Sequence, residues 1–140
     1  MKLEKYHKII AATPQDIKDK IKKDMDDMDI IEGNKLIAGF MQLETKNRNW
    51  DERLVYLYGN YWYPSEKLKY HSSWDWLMPV VEKIQSLGGR FIIGDGNRVT
   101  VYNKDYDWRN GSTEDELIEC VWHGAIQFIK WHNQNKHSND

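Results

Sequence analysis

Apolar residues recur along this chain at two spacings, and the spacing divides it into elements. Ile17, Ile21, Met25 and Met28 return every three to four positions among Lys and Asp, the period of a helix with one narrow buried stripe. Thr13 stands before Pro14, an N-cap ahead of a proline in the first turn, so a surface helix is predicted over about 14–28. Its lysines (Lys18, Lys20, Lys22, Lys23) precede its aspartates (Asp24, Asp26, Asp27, Asp29). That order opposes the helix dipole, and the C-terminal end is expected to fray. Asn34 is placed to cap a short second helix carrying Leu36, Ile37, Phe40 and Met41. Residues 44–51 are polar and read as a loop.

The pattern changes at Leu54-Val-Tyr-Leu-Tyr, a run of β-formers. Gly59-Asn60 supplies a two-residue turn into Tyr61-Trp-Tyr, and Pro64 ends the run. The next helix is capped by Ser72 or Ser73 and stopped by Gly88-Gly89. Trp74, Leu77, Met78, Val81 and Ile84 share one face, and Trp76, Val80 and Leu87 widen it. An arc that broad packs on two sides, so Trp74 and Trp76 are expected in the core. Pro79 lies past the first turn, which predicts a kink or a delayed start.

Arg90-Phe-Ile-Ile and Val99-Thr-Val-Tyr are joined through Gly94-Asp-Gly-Asn, a strong short-range hairpin signal. Residues 104–111 read as a polar loop. Ser112 or Thr113 caps the last helix, with Glu116 completing a capping box. Its core face is Leu117, Ile118, Val121, Trp122, Ala125, Phe128 and Ile129. Helices and hairpins do not alternate in the β-α-β manner of a doubly wound sheet. The expected class is α+β: a small antiparallel sheet flanked by helices, sandwich-like, in a single domain. Residues 1–33 read as an N-terminal helical extension, 34–133 as the domain and 134–140 as a flexible tail.

Composition narrows the functional classes. The net charge is −2, so no global basic field draws the chain to nucleic acid. Cys120 is the single cysteine, which precludes an internal disulfide and suits a reducing compartment. No apolar run reaches membrane-span length, and the start Met1-Lys-Leu-Glu-Lys-Tyr-His-Lys has no apolar signal core. A cytoplasmic location, with no membrane partner, is expected. Seven Trp and eight Tyr against three Phe raise the prospect of a contact surface, because these rings serve cores and interfaces alike.

Three segments carry a family resemblance: Lys35-Leu-Ile-Ala-Gly-Phe-Met, the block Tyr70-His-Ser-Ser-Trp-Asp-Trp-Leu-Met-Pro-Val-Val-Glu-Lys-Ile, and Ala125-Ile-Gln-Phe-Ile-Lys-Trp-His-Asn. Together they resemble the ABA sandwich domain proteins of phages and prophages over roughly 34–133. Two Trp around an Asp before Leu-Met-Pro is a rare string. The family often follows its Ile-Ala…Met helix with Gly-Trp, where Gln42-Leu43 stand here, and the first helix looks like an addition. The resemblance implies helices flanking a small sheet and a location in a host bacterial cell. The family carries no established activity, so it transfers no catalytic residues.

Candidate chemistry is sparse. His71 and Asp75 lie at i, i+4 across the Ser pair and form the one acid–base candidate; the competing reading is an Asp stabilising a helix N-terminus. His123 lies on the polar face of the last helix and His132 near its core arc, so the two cannot share a metal. Asp24-Met-Asp-Asp-Met-Asp fails as a calcium loop, because Met28 stands where an oxygen ligand belongs. Gly94-Asp-Gly-Asn lacks the ending of a phosphate loop. No metal and no cofactor are expected.

The aromatic run is the leading binding candidate: Trp50, Tyr56, Tyr58, Tyr61 and Trp62, with Tyr70 and His71 at the junction. Alternation sets Tyr56 and Tyr58 against Val55 and Leu57. If the aliphatic face meets the core, the tyrosines face a partner; otherwise they cover the helices of a small domain. The expected function is non-enzymatic protein binding, to a host factor or a second copy. Single-stranded nucleic-acid or nucleotide binding is the alternative, disfavoured by charge, and a small enzyme using His71 and Asp75 is a further one.

Overall fold

The structure, a computed structural model, describes residues 29–48, 53–110 and 115–135. The helix predicted over about 14–28, Trp50, Thr113 and the last five residues lie outside them. The chain divides into two compact units, Met1–Glu32 and Gly33–Asp140. The described residues of the first unit, 29–32, are helical. All that follows concerns the second.

Helix α1 covers residues 33–40 of this unit. Three strands follow, β1 (Thr45–Asn47), β2 (Leu54–Tyr58) and β3 (Tyr61–Pro64), then a 3-10 turn (Ser65–Lys67) and helix α2 (Trp74–Ser86). Strands β4 (Arg90–Gly94), β5 (Arg98–Asn103) and β6 (Tyr106–Arg109) lead into helix α3 (Leu117–Asn135). The fold is α+β with antiparallel pairing throughout, and its strands form two three-stranded meanders, β1-β2-β3 and β4-β5-β6.

The two hairpin turns expected at Gly59-Asn60 and Gly94-Asp-Gly-Asn stand where Gly and Asn place them. Gly59 takes φ 63°, and Gly96 and Asn97 take φ 71° and 56°, the left-handed region that Gly and Asn tolerate best. Strands β1 and β6 replace segments read as polar loops. In β6 the half-buried Tyr106 and Trp108 alternate with exposed Asp107 and Arg109, a period-two signal carried by only four residues. In β1 every residue is exposed, so no apolar signal existed.

Helix α2 starts at Trp74 without delay, after Ser73 in an extended conformation that makes no side-chain cap bond. Pro79 sits inside the helix on its exposed side, where water can satisfy the carbonyl that a proline leaves unpaired. Trp76 is buried as expected, but Trp74 faces solvent. Helix α3 starts at Leu117, and the Glu116 carbonyl accepts from the Cys120 amide at 3.2 Å. Glu116 therefore precedes the helix and is not the third residue of a capping box. Asn34 is not a cap either: it lies within α1 and is buried.

The core joins α2, α3 and the inner face of the second sheet. Leu77, Val80 and Ile84 from α2, Val99 and Val101 from β5, and Ala125, Phe128 and Ile129 from α3 are fully buried. Gly124 lets α3 approach the sheet. A Cβ there would stand 2.7 Å from Val101 Cγ2 and 3.1 Å from Trp108 Cζ3, closer than packed carbons allow.

Candidate binding surface

Register sorts the aromatic run into two faces. Tyr56 pairs with Tyr63, and Tyr58 with Tyr61, so these four rings lie on one side of the first sheet. Leu57 pairs with Trp62, and Val55 with Lys46 and Pro64, on the other. The tyrosine face is the one that meets the core. Tyr58 stacks on Trp76 of α2, with ring centroids 3.5 Å apart and planes at 5°. Tyr63 and Tyr70 meet the same indole edge-on at 5.2 and 5.3 Å. The edge-to-face contacts add attraction beyond area burial.

Placement divides the candidate residues. Tyr56 and Tyr70 are buried and Tyr58 is half-buried, so they support a surface from beneath. Burial, followed by the neighbouring Tyr58, raises the Tyr70 hydroxyl pKa well above its ordinary value. Burial, then the Asp75 carboxylate and Tyr63, raise that of Tyr58. Tyr61 is 71% exposed and Trp62 37% exposed. Lys46 of β1 reaches across the sheet and sets its ammonium 4.2 Å from the Trp62 ring centroid, a cation–π contact. The accessible part of the run is thus Tyr61, Trp62 and Lys46, with half-buried Leu57 beside Trp62.

His71 belongs to a different arrangement. The indole Nε1 of Trp122 can only donate, so its 2.9 Å contact fixes the Asn34 atom it meets as Oδ1. The Asn34 amide nitrogen then donates to the Leu68 carbonyl at 3.1 Å and to His71 Nδ1 at 2.9 Å. His71 therefore accepts at Nδ1, which commits that atom to the fold and not to Asp75. The network was missed from sequence, although Asn34 falls in helical step with Ile37, Ala38 and Met41, and a polar residue in a core stripe is a signal for a buried partner.

Elsewhere the chemistry is muted. Among the described residues no three His, Cys, Asp or Glu side chains converge to hold a metal ion. Cys120 is buried, and burial followed by the Asp115 carboxylate raises its thiol pKa. His123 is exposed, whereas His132 packs between Phe40 and Phe128. An open cleft of about 480 Å³ lies between α1, α2 and the end of α3, lined by Lys35, Phe40, Lys83 and His132 among others. Lys83 there donates to the Phe40 carbonyl and sits 4.5 Å from its ring centroid.

The outer face of the second sheet carries Arg90, Ile92, Arg98, Thr100, Tyr102, Asp107 and Arg109, which share a side by register. Asp107 pairs with Arg109 at 2.8 Å. Among the described residues no helix is long and apolar enough to cross a membrane. No family model, no curated protein and no solved structure matches this chain.

Proposed function

We propose that this chain is a phage- or prophage-type accessory protein that acts by binding another protein and not by catalysis. The observation that carries the reading is Trp62, exposed with Lys46 on the outer face of the first sheet above the stacked aromatic base, with Tyr61 exposed beside it on the opposite face of the same strand. Large rings held in place beforehand lose little entropy on contact, which is what interface anchors require. Lys46 beside Trp62 adds a charge at the rim. The family-like block at Tyr70–Ile84 supports the phage-type assignment. Full-length protein used as bait in a bacterial lysate tests it. Trp62→Ala and Tyr61→Ala are expected to lose the captured protein while melting within a few degrees of the parent. If both variants keep every captured protein, the surface is not the binding site.

A second reading, single-stranded nucleic-acid binding, draws on Arg90, Arg98 and Tyr102 on the outer face of the second sheet. Cationic side chains with a ring can follow a backbone and stack a base. Fluorescence anisotropy with a labelled oligonucleotide at low salt tests it. Retention that falls steeply with added salt and with Arg98→Glu supports this reading, and no retention at low salt removes it.

A further inference from the structure

Strand β4 ends its sheet with one neighbour, β5, among the described strands. Its register with β5 runs unbroken through all five residues, from Arg90↔Tyr102 to Gly94↔Arg98, so no bulge interrupts it. Ile92 on the outer face is 54% exposed and Ile93 on the inner face 53%. Exposed isoleucines on both faces of one edge strand are uncommon, because edges are ordinarily blunted by charge, proline, bulges or shortness. The other described edges carry such guards. Strand β1 has three residues and Lys46, β3 ends at Pro64, and β6 alternates Asp107 and Arg109 with its half-buried rings.

We propose that β4 pairs antiparallel with β4 of a second copy of this chain, joining the two second sheets into one of six strands. Symmetry and sequence select the register. A two-fold axis normal to the sheet keeps inner faces together and requires a residue to oppose itself. Centring on Ile92 uses all five positions: Ile92 meets Ile92, Phe91 meets Ile93, and Arg90 meets Gly94 of the second copy. Asp95 follows Gly94 in the turn and is exposed. The basic start of each strand therefore reaches the acidic end of the other. A register centred on Arg90 would oppose two guanidiniums, and one centred on Phe91 or Ile93 pairs fewer residues. In this register Ile92, Phe91 and Ile93 meet apolar partners, and Arg90 lies one position from Asp95 of the second copy.

A five-residue edge buries a modest area, which fits a reversible dimer and not an obligate one. The inference stands apart from the Tyr61–Trp62 surface, which lies on the other sheet. Sedimentation velocity and light scattering of the full chain over a concentration series test it. A concentration-dependent dimer is expected. Ile92→Lys sets two ammoniums on the axis and is expected to raise the dissociation constant by on the order of 100-fold or more. Arg90→Asp and Asp95→Arg are each expected to weaken the dimer, and the double exchange to recover it. Ile92→Cys is expected to form a disulfide between copies under mild oxidation, whereas Thr100→Cys, one strand inward, is not. Trp62→Ala is expected to leave the dimer intact. A chain that stays monomeric at every concentration overturns the proposal. So does a dimer that survives Ile92→Lys with its circular dichroism unchanged, since the contact then lies elsewhere.

Discussion

The Trp122 indole donates to Asn34 Oδ1 at 2.9 Å, closing a loop of 88 residues between α3 and α1. The same amide holds the Leu68 carbonyl and His71 Nδ1. One buried side chain thus satisfies three polar groups, two in the segment 68–71 and one in α3. Asn34→Ala strands all three at once. Each orphaned buried group costs about 1–3 kcal/mol, and relaxation recovers part of it; the expected loss is about 2–4 kcal/mol. Urea denaturation gives the value. Trp122→Phe is expected to cost less than the sum implies when combined with Asn34→Ala, because both remove one interaction. Additive losses would show that the bond contributes little.

Tyr70 makes stability depend on alkaline pH. Its folded pKa is raised above the ordinary value of 10.0, first by burial and then by Tyr58. A raised folded pKa means that the folded state keeps its proton while the unfolded chain loses it above about pH 10. The contribution is complete below that pH and declines as pH rises towards the folded value. Tyr58 and Tyr106 are shifted the same way. Denaturation midpoints are expected to hold level from neutrality to about pH 10 and then fall. Tyr70→Phe is expected to flatten the fall, and an identical slope in that variant would count against the assignment.

Gly124 tests the helix–sheet contact. Gly124→Ala directs its methyl at Val101 Cγ2, 2.7 Å away, with Trp108 at 3.1 Å. In an exposed helix the change would stabilise; here overpacking is expected to win by about 1–3 kcal/mol. Val101→Ala removes the obstructing methyl, so the double variant is expected to lose less than the two single losses summed. Thermal melts of the four proteins decide this, and a stabilised Gly124→Ala would mean that the layers separate at little cost.

Cys120 is predicted to resist thiol reagents while the chain is folded. It is buried, and its pKa is raised by burial and by Asp115, so little reactive thiolate forms near neutrality. Full labelling is expected only in denaturant. Complete reaction of the native protein within the mixing time would contradict this placement.

Legibility from sequence followed the size of the apolar signal. Helices α2 and α3 were readable because Leu77, Val81 and Ile84, and Val121, Phe128 and Ile129, repeat in step over several turns. The hairpins were readable from Gly59-Asn60 and Asp95-Gly-Asn, whose left-handed geometry few residues tolerate. Strands β1 and β6 were not, since Thr45-Lys-Asn and Tyr106-Asp-Trp-Arg are too short for periodicity to stand out. The aromatic run was recognised but its orientation was not. Alternation defines two faces, yet only the position of Trp76 decides that Tyr56 and Tyr58 turn inward. His71 and Asp75 stood out as an acid–base candidate by spacing alone, because sequence distance hides Asn34, 37 residues away, whose amide meets His71 Nδ1.

Each sheet is a meander of consecutive strands, with β2–β3 and β5–β6 joined by two residues and β4–β5 by three. The ordering of contacts in time follows from this layout. Hairpins closed by such short turns form in microseconds, before chain entropy opposes more distant pairs. The Asn34–Trp122 bond spans most of the unit and is expected to form last. Interactions absent from the rate-limiting barrier act as a latch: they leave refolding almost unchanged and set how slowly the native state opens. Asn34→Ala should therefore steepen neither arm of a chevron but raise its unfolding limb, making the kinetic lifetime of the fold the property this single amide controls.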